Sequence, residues 1–392
     1  MYPKIYLKPG KEKAVTARHH WVFSGALMKR DPGVQNGGVV AVFSADHKFL
    51  AIGYYNEKTS IAVRILSFEP APIDGEFFWN RLQQANNARL ELFRDSQTDC
   101  YRLLFSEGDF LPGLIIDRYG PGIVFQLQTL GLEQFRETFL RIIQTTWKPS
   151  FIYEKSEGMA RLEEGLEARS ELHAGELPEE GICVRENGVA FRVDIRQGQK
   201  TGFFLDQRDN RQLVRRLSRG KEVLNCFSYT GGFSVGAALG GAIGTINVDS
   251  SQPALDLARE NFRLNGLPPG AHRFIQADVF EYLRASRDEF DLVILDPPAF
   301  AKRQSSITAA YRGYKDINLH AMKLVKPGGY LLTCSCSYYI DSSAFQKILF
   351  LAALDSGRQL QLIAKLPQPP DHPINLFHPE SEYLKAFLCR VY

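Results

Sequence analysis

No apolar run in this sequence approaches the ~20 residues that cross a bilayer as a helix. The opening stretch, residues 1–13, is polar and basic and lacks the apolar core of a secretion signal. A cytoplasmic protein without membrane contact is expected. Cysteine is scarce, six in 392 residues: Cys100, Cys183, Cys226, Cys334, Cys336 and Cys389. No closely spaced pair is matched by a second pair, as a zinc knuckle requires, so no metal is expected. In such a compartment the thiols stay free, and most should serve as small buried hydrophobes. Net charge is small as well, +3, so bulk electrostatics names no partner.

What charge there is falls unevenly. Residues 1–30 carry Lys4, Lys8, Lys11, Lys13, Arg18, Lys29 and Arg30 against Glu12 alone. Residues 157–180 hold eight acids against two arginines. A basic arm on a near-neutral chain is either a local phosphate-binding surface or a solvated basic edge, and charge alone does not choose.

The length suggests two or three domains at roughly 100–200 residues each. Over residues 1–75, short strands at Val39–Phe43, Phe49–Tyr55 and 61–66 alternate with Gly- and Asn-rich turns, as in a small β-barrel. Residues 76–190 open on a helical period over 77–93. Strands at 101–105, 114–117, 123–127 and 151–155 follow, with a helix over 132–146, giving a compact α+β unit. From 191 to 392 strand and helix alternate. Strands are expected at 223–226, 244–249, 274–276, 290–295 and 330–333, with helices at 232–239, 254–264, 279–285 and 314–324. That order predicts an α/β fold with a Rossmann-like, doubly wound parallel sheet.

Such sheets bind ligands at the carboxyl ends of their strands. The first end runs Asn225-Cys226-Phe227-Ser228-Tyr229-Thr230-Gly231-Gly232. Its glycines let backbone approach a ligand and open a helix whose N–H groups point at it. The second ends in Asp249, at the distance from a Gly-rich turn that suits a ribose diol. The third leads to Asp278, placed to meet an adenine amine. The fourth ends in Asp296-Pro297-Pro298. A Gly turn alone could merely tighten a corner; with three strand-end acids beside it, a nucleotide-like ligand is the better reading. A nicotinamide dehydrogenase is disfavoured, because no full G-x-G-x-x-G is present.

With these residues the chain resembles the class I S-adenosylmethionine (SAM)-dependent methyltransferases. Within them it resembles the PUA-containing 23S rRNA cytosine-C5 methyltransferase family. The likeness spans nearly the whole length. It rests on His20–Gly25, Glu107–Leu114, Gly198–Arg208, Asn225–Gly232, Asp296-Pro297-Pro298, Arg312–Asn318 and Ser335-Cys336-Ser337. It implies an N-terminal PUA-like RNA-binding domain (1–75), a central α+β domain (76–190) and a methyltransferase domain (191–392). It also implies SAM as cofactor and 23S rRNA as partner, with a second copy of the chain left open. In such a protein Asp249, with Ser250 beside it, holds the ribose, and Asp278 the adenine edge. The turn Phe227-Ser228-Tyr229-Thr230-Gly231 holds the methionine portion. Gln199 and Thr201 close the pocket, and Asp296 touches both cofactor and base.

Methyl transfer to cytosine C5 needs a nucleophile, because C5 does not attack a sulfonium methyl unaided. A thiolate added at C6 turns the ring into an enamine. Cys334 and Cys336 share strand parity and so face one side. Cys336 is nearer the carboxyl end and holds the family's catalytic position; Cys334 reads as core. Asp296 is the expected partner of cytosine N3. The place after the proline where other RNA cytosine-C5 methyltransferases carry a second cysteine is Ala299. Lys315 is read equally as a phosphate contact or a solvated lysine, His372 as a turn residue, and Trp21 as barrel core or RNA contact beside Phe23. Two other readings stay open: methylation of a ring or exocyclic nitrogen, and a silent RNA-binding protein.

Overall fold

A computed structural model describes residues 2–94, 96–301 and 303–392. The chain forms two compact units, one of Met1–Arg185, Val193–Leu205 and Pro370–Ser381, the other of Glu186–Arg192, Asp206–Pro369 and Glu382–Tyr392. Two segments grouped by sequence with residues 191–392, namely Val193–Leu205 and Pro370–Ser381, thus belong to the first unit.

The first unit contains two sheets. Strands β1 (Lys4–Leu7), β2 (Trp21–Phe23), β3 (Leu27–Arg30), β4 (Val39–Phe43), β5 (Phe49–Tyr55) and β6 (Ile61–Ser67) pair in the order β2-β6-β5-β4-β1-β3. The three longer strands match the sequence reading. The other three have only three or four residues, too few for an alternating pattern to register. Ile5 and Leu7, Val40 and Val42, and Val63 and Ile65 point to one side and pack together with Val22 and Ala51. The result is a PUA-like half-barrel.

The second sheet comprises β7 (Cys100–Phe105), β8 (Leu114–Tyr119), β9 (Gly122–Leu127), β10 (Phe151–Ser156) and β11 (Arg169–Gly175), ordered β11-β10-β9-β8-β7. Helices Gly75–Phe93 and Arg136–Trp147 lay Phe78, Leu82, Phe139 and Ile143 against Ile116, Ile123 and Phe125. The first helix starts two residues before the expected Phe77 because Asp74 caps it, Oδ1 accepting from Phe77 N at 3.0 Å. The single helix expected over 132–146 is divided into Leu130–Glu133 and Arg136–Trp147. At the break, the Gln134 side chain donates to Gly131 O at 3.0 Å, taking a carbonyl that a continuing helix would use. Two short strands, β12 (Ile182–Glu186) and β13 (Val189–Val193), follow.

The second unit is built on seven strands: β14 (Glu222–Cys226), β15 (Gly244–Asp249), β16 (His272–Gln276), β17 (Phe290–Leu295), β18 (Val325–Ser335), β19 (Leu360–Leu366) and β20 (Lys385–Val391). Their order is β16-β15-β14-β17-β18-β20-β19. The first five run parallel, and β20 is antiparallel to both β18 and β19. Leu292, Ile294, Leu332 and Cys334 pack on one face of the sheet with Val214, Phe233 and Ala237. Leu224, Val293, Leu295 and Leu331 pack on the other with Tyr314, Ile317, Phe345 and Ile348. The doubly wound α/β sheet is therefore present, with an antiparallel edge that the sequence reading did not include. Its direction of winding reverses at β14, so the crevice beyond β14 and β17 is the switch point where such sheets bind ligands.

Candidate active site

The turn after β14 is held in an uncommon shape. Phe227, Tyr229 and Gly231 all have positive φ, at 58°, 46° and 75°. Alternating left-handed residues curl the backbone into a tight turn, within which Gly231 N donates to Ser228 O at 2.9 Å. Neighbouring elements fix it. Ser228 N donates to Val248 O at 3.1 Å, Asn261 Nδ2 to Thr230 O at 2.9 Å, and Asn225 Nδ2 to Ser234 Oγ at 2.9 Å. Gly231 is required twice over. Its φ is left-handed, and an added Cβ would lie 2.9 Å from that of Ala258 on helix Gln252–Leu264.

Asp249, at the end of β15, braces this turn. Its Oδ2 accepts from Tyr229 N at 2.8 Å and its Oδ1 from Ser251 N at 2.9 Å. A carboxylate has about four acceptor positions, so capacity for a diol remains. Ser250 is exposed beside it, its carbonyl accepting from Gln276 Nε2 at 3.2 Å. Asp278 is exposed and caps helix Val279–Ala285, Oδ1 accepting from Glu281 N at 3.0 Å. Phe227, Phe280 and Phe300 form a half-buried aromatic wall, with ring centroids 5.7–6.5 Å apart. The hydroxyls of Ser228 and Thr230 are buried without a hydrogen-bond partner. An unmet buried polar group costs ~1–3 kcal/mol, so the turn is chemically incomplete and suited to a polar ligand.

The reactive end lies one strand over. Asp296 follows β17, and Oδ1 accepts from Gln207 Nε2 at 2.9 Å. Asn210 Nδ2 donates to Gln207 Oε1 at 2.6 Å, which fixes the amide as a donor toward Asp296. Asp206 accepts from Tyr383 OH at 2.6 Å. None of Asp206, Gln207 and Tyr383 had been assigned a role from sequence. The first two lie in a run that pointed to the family without naming a partner.

The two cysteines separate clearly. Cys334 is buried in the core on β18. Burial, then the Asp296 carboxylate, pushes its thiol well above the ordinary range. Cys336, just beyond β18, is half-buried. Lys385 opens β20 opposite Ser335. Its Nζ donates to Ser337 O at 2.8 Å and Tyr383 O at 2.7 Å. Burial lowers its pKa to about 8, while the negative form of Cys336, then Glu382 and Asp341, pull it up. Ser337 is pinned by Tyr314 OH at 2.9 Å and by Ala301 N at 3.1 Å.

The structure thus brings Phe227–Gly231, Asp249, Ser250, Asp278, Asp296 and Cys336 to the carboxyl edge of one sheet. Gln199 and Thr201 lie in the first unit. Thr201 is fully buried there, its Oγ1 donating to Asp117 Oδ2 at 2.6 Å and lying 2.8 Å from Tyr119 OH. Gln199 is exposed. Lys315 pairs with Asp355 at 2.6 Å. His372 is buried against Asp371 and Phe105, as a turn residue would be. Trp21 is half-buried, its Nε1 donating to Glu107 Oε1 at 2.8 Å, and Phe23 is 49% exposed. No described helix is long and apolar enough to cross a membrane.

Comparison with known proteins agrees with this geometry. The S-adenosylmethionine-dependent methyltransferase family model matches residues 155–390, and the PUA-like domain model residues 5–68. Ribosomal RNA large subunit methyltransferase I of Vibrio cholerae serotype O1 is 44% identical over 100% of both chains. The protein of the same name from Escherichia coli O157:H7 is 43% identical over the same share. A solved Streptococcus mutans chain, provisionally assigned as a SAM-dependent methyltransferase, superposes with a TM-score of 0.86 at 25% identity, covering 99% of each chain. A second solved chain of equal similarity, provisionally assigned as a methyltransferase, is complexed with SAH. This chain therefore belongs to the SAM-dependent methyltransferases, in the family of ribosomal RNA large subunit methyltransferase I.

Proposed function

We propose that this enzyme methylates C5 of a cytosine in 23S rRNA, with Cys336 as the nucleophile. The observation that carries the reading is the contrast between the two thiols. Cys334 is sealed in the core, whereas Cys336 is half-buried at the carboxyl edge beside the Lys385 ammonium. A nitrogen methyltransferase has no use for such a thiol, because a lone pair attacks directly.

Bound SAM supplies an electrophilic methyl group on a sulfonium. The unmet hydroxyls of Ser228 and Thr230 suit its amino-acid end. Asp249 suits its ribose, and Asp278 with the Phe280 wall suits its adenine. Cys336 acts as a thiolate. Its sulfur bonds to cytosine C6, and the C5–C6 electron pair moves so that C5 becomes nucleophilic. Asp296, aimed by Gln207, meets the N3 edge in its protonated form and passes that proton to N3 as negative charge develops there. After the methyl reaches C5, a solvent water takes the C5 proton, the released electron pair restores the C5–C6 double bond, and the Cys336 thiolate leaves as N3 returns its proton to Asp296. Lys385 favours that thiolate both before addition and after release.

RNA contact is assigned to the half-barrel. There Lys29 Nζ lies 4.5 Å from the centre of the Tyr6 ring, Lys4 Nζ 5.2 Å from that of Phe43, and Phe23 is exposed. Mixed cations and rings suit single-stranded RNA. The target base must leave its stack to be reached.

The test uses SAM and RNA containing 5-fluorocytosine, since fluorine at C5 blocks the elimination. A denaturant-resistant protein–RNA adduct is expected, absent in Cys336→Ala and retained in Cys334→Ala. Robust methylation by Cys336→Ala overturns the C5 reading.

A further inference from the structure

Outside the methyltransferase site, the first unit gathers side chains that the reaction does not use. His19 precedes β2; His378 and Glu380 lie in the segment Pro370–Ser381, some 360 positions later. His19 Nε2 is 3.1 Å from Glu380 Oε2, and His378 Nδ1 is 3.7 Å from the same oxygen. One donor atom from each of the three residues falls within 4.8 Å of the other two. The two imidazole rings are 4.7 Å apart.

His378 makes this cluster more than a surface ion pair. Its side chain is 1% exposed, and its Nδ1 is buried without a hydrogen-bond partner. The ring is clamped, with the Trp21 ring edge-on at 4.5 Å and its backbone N–H donating to Asn375 O at 2.8 Å. A buried imidazole nitrogen that lacks a hydrogen bond and lies 3.7 Å from a carboxylate requires an explanation.

We infer that His19 Nε2, His378 Nδ1 and Glu380 Oε2 bind a divalent transition metal of the zinc class, fastening Pro370–Ser381 to the half-barrel. Tetrahedral zinc with bonds of about 2.0–2.1 Å places its ligands about 3.3–3.4 Å apart. The separations of 3.1 and 3.7 Å straddle that value. Two imidazoles and one carboxylate select zinc-like ions over magnesium or calcium, which take oxygen sets. Water would complete the shell on the side where Glu380 is 25% exposed.

Capture requires one proton to move. At present Trp21 N donates to His19 Nδ1 at 3.1 Å, so the ring proton sits on Nε2, facing Glu380. On binding, that proton shifts to Nδ1, where Trp21 O at 3.4 Å accepts it, and the Trp21 N–H gives up its bond. A backbone carbonyl behind a ligating histidine is a common supporting contact. Cysteine spacing speaks against a zinc knuckle, not against a site drawn from histidine and glutamate near the two ends of the chain.

The experiment is Zn²⁺ titration of the metal-stripped full chain, read by calorimetry and by bound zinc after dialysis. The Cys183→Ser background removes the exposed thiol. One Zn²⁺ per chain is expected. It should bind at least ~10-fold more weakly in His378→Ala and in Glu380→Gln, since each loses one of three ligands. Glu380 is partly exposed, so Glu380→Gln should fold, and the emission of Trp79 and Trp147, both in the first unit, checks the fold of each variant independently. Zinc should also raise the unfolding temperature of the parent and not of the variants. Binding equal in parent and variants, or less than ~0.1 equivalent in the parent, overturns the site.

Discussion

Replacing Gly231 by alanine should damage cofactor binding through one contact of known geometry. Two costs are separable. A left-handed φ costs a non-glycine residue roughly 1–2 kcal/mol, and alanine recovers about 0.4–1 kcal/mol by stiffening the unfolded chain. The second cost is steric, because the new methyl would stand 2.9 Å from Ala258 Cβ and push helices Gly232–Leu239 and Gln252–Leu264 apart. Overpacking of this kind costs about 1–3 kcal/mol.

Gly220 isolates the first cost, having φ 70° and nothing within 4 Å of an added Cβ. Gly220→Ala should therefore change stability by no more than about 1.5 kcal/mol, with SAM affinity intact. Gly231→Ala should lose about 1–3 kcal/mol more and bind SAM roughly tenfold less tightly as the turn shifts. Trp21, Trp79 and Trp147 all lie in the first unit, so tryptophan emission is the wrong probe. Hydrogen exchange over residues 222–264, with SAM calorimetry, reads the right place. Ala258→Gly in the Gly231→Ala background removes the opposing methyl and should restore affinity. If the two alanine variants behave alike, or Ala258→Gly rescues nothing, the contact does not decide the matter.

Lys385→Met should raise the pH at which Cys336 becomes reactive to iodoacetamide, because a neighbouring cation favours the thiolate. The parent's advantage should be present below about 8, where Lys385 is charged, and fade above it. Asp249→Ala should weaken SAM binding roughly 100-fold, since its two oxygens hold the backbone N–H groups of Tyr229 and Ser251 and, in the function proposed above, also meet the ribose. Arg102→Met should destabilise the first unit by about 3–5 kcal/mol. It strands buried Asp117, which Arg102 grips with two bonds of 2.8 Å. In calorimetry, Arg102→Met with Asp117→Leu should recover much of that loss.

Elements with strong local patterns were legible from sequence. Strands β4, β5 and β15 and helix Gly232–Leu239 lie where apolar period and punctuation put them. β18 shows how a local rule is overridden. Pro327-Gly328-Gly329 reads as a turn before a strand at 330. The ladder instead runs from Val325, with Phe290 opposite Val325 and Leu292 opposite Tyr330. The extra residues are taken up as an irregularity, with Gly328 at φ 79°, a place where glycine interrupts a strand without ending it. β19 and β20 were missed because their pairing is long-range. β20 is defined by its contact with β18, some fifty residues earlier, with helix Ser342–Ser356 and β19 lying between them in the chain.

The same distinction governs the site. A strand end followed by a Gly turn or an acid is a local signal, so Gly231, Asp249 and Asp296 could be found one at a time. Gln207 and Lys385 could not, because neither has meaning without its partner. A glutamine before a helix reads as polar surface until Asn210 fixes its amide and Asp296 receives it. A lysine opening a terminal strand reads as solvated until the antiparallel register sets it opposite Ser335, beside Cys336. The sequence did order the two thiols correctly by depth, since parity and distance from the strand end are local quantities. It pointed to no cation near Cys336, since Lys385 comes from a strand whose place in the sheet is fixed by tertiary packing. Residues that carry chemistry announce themselves by type and motif. Residues that tune it are ordinary in type, and only the fold identifies them.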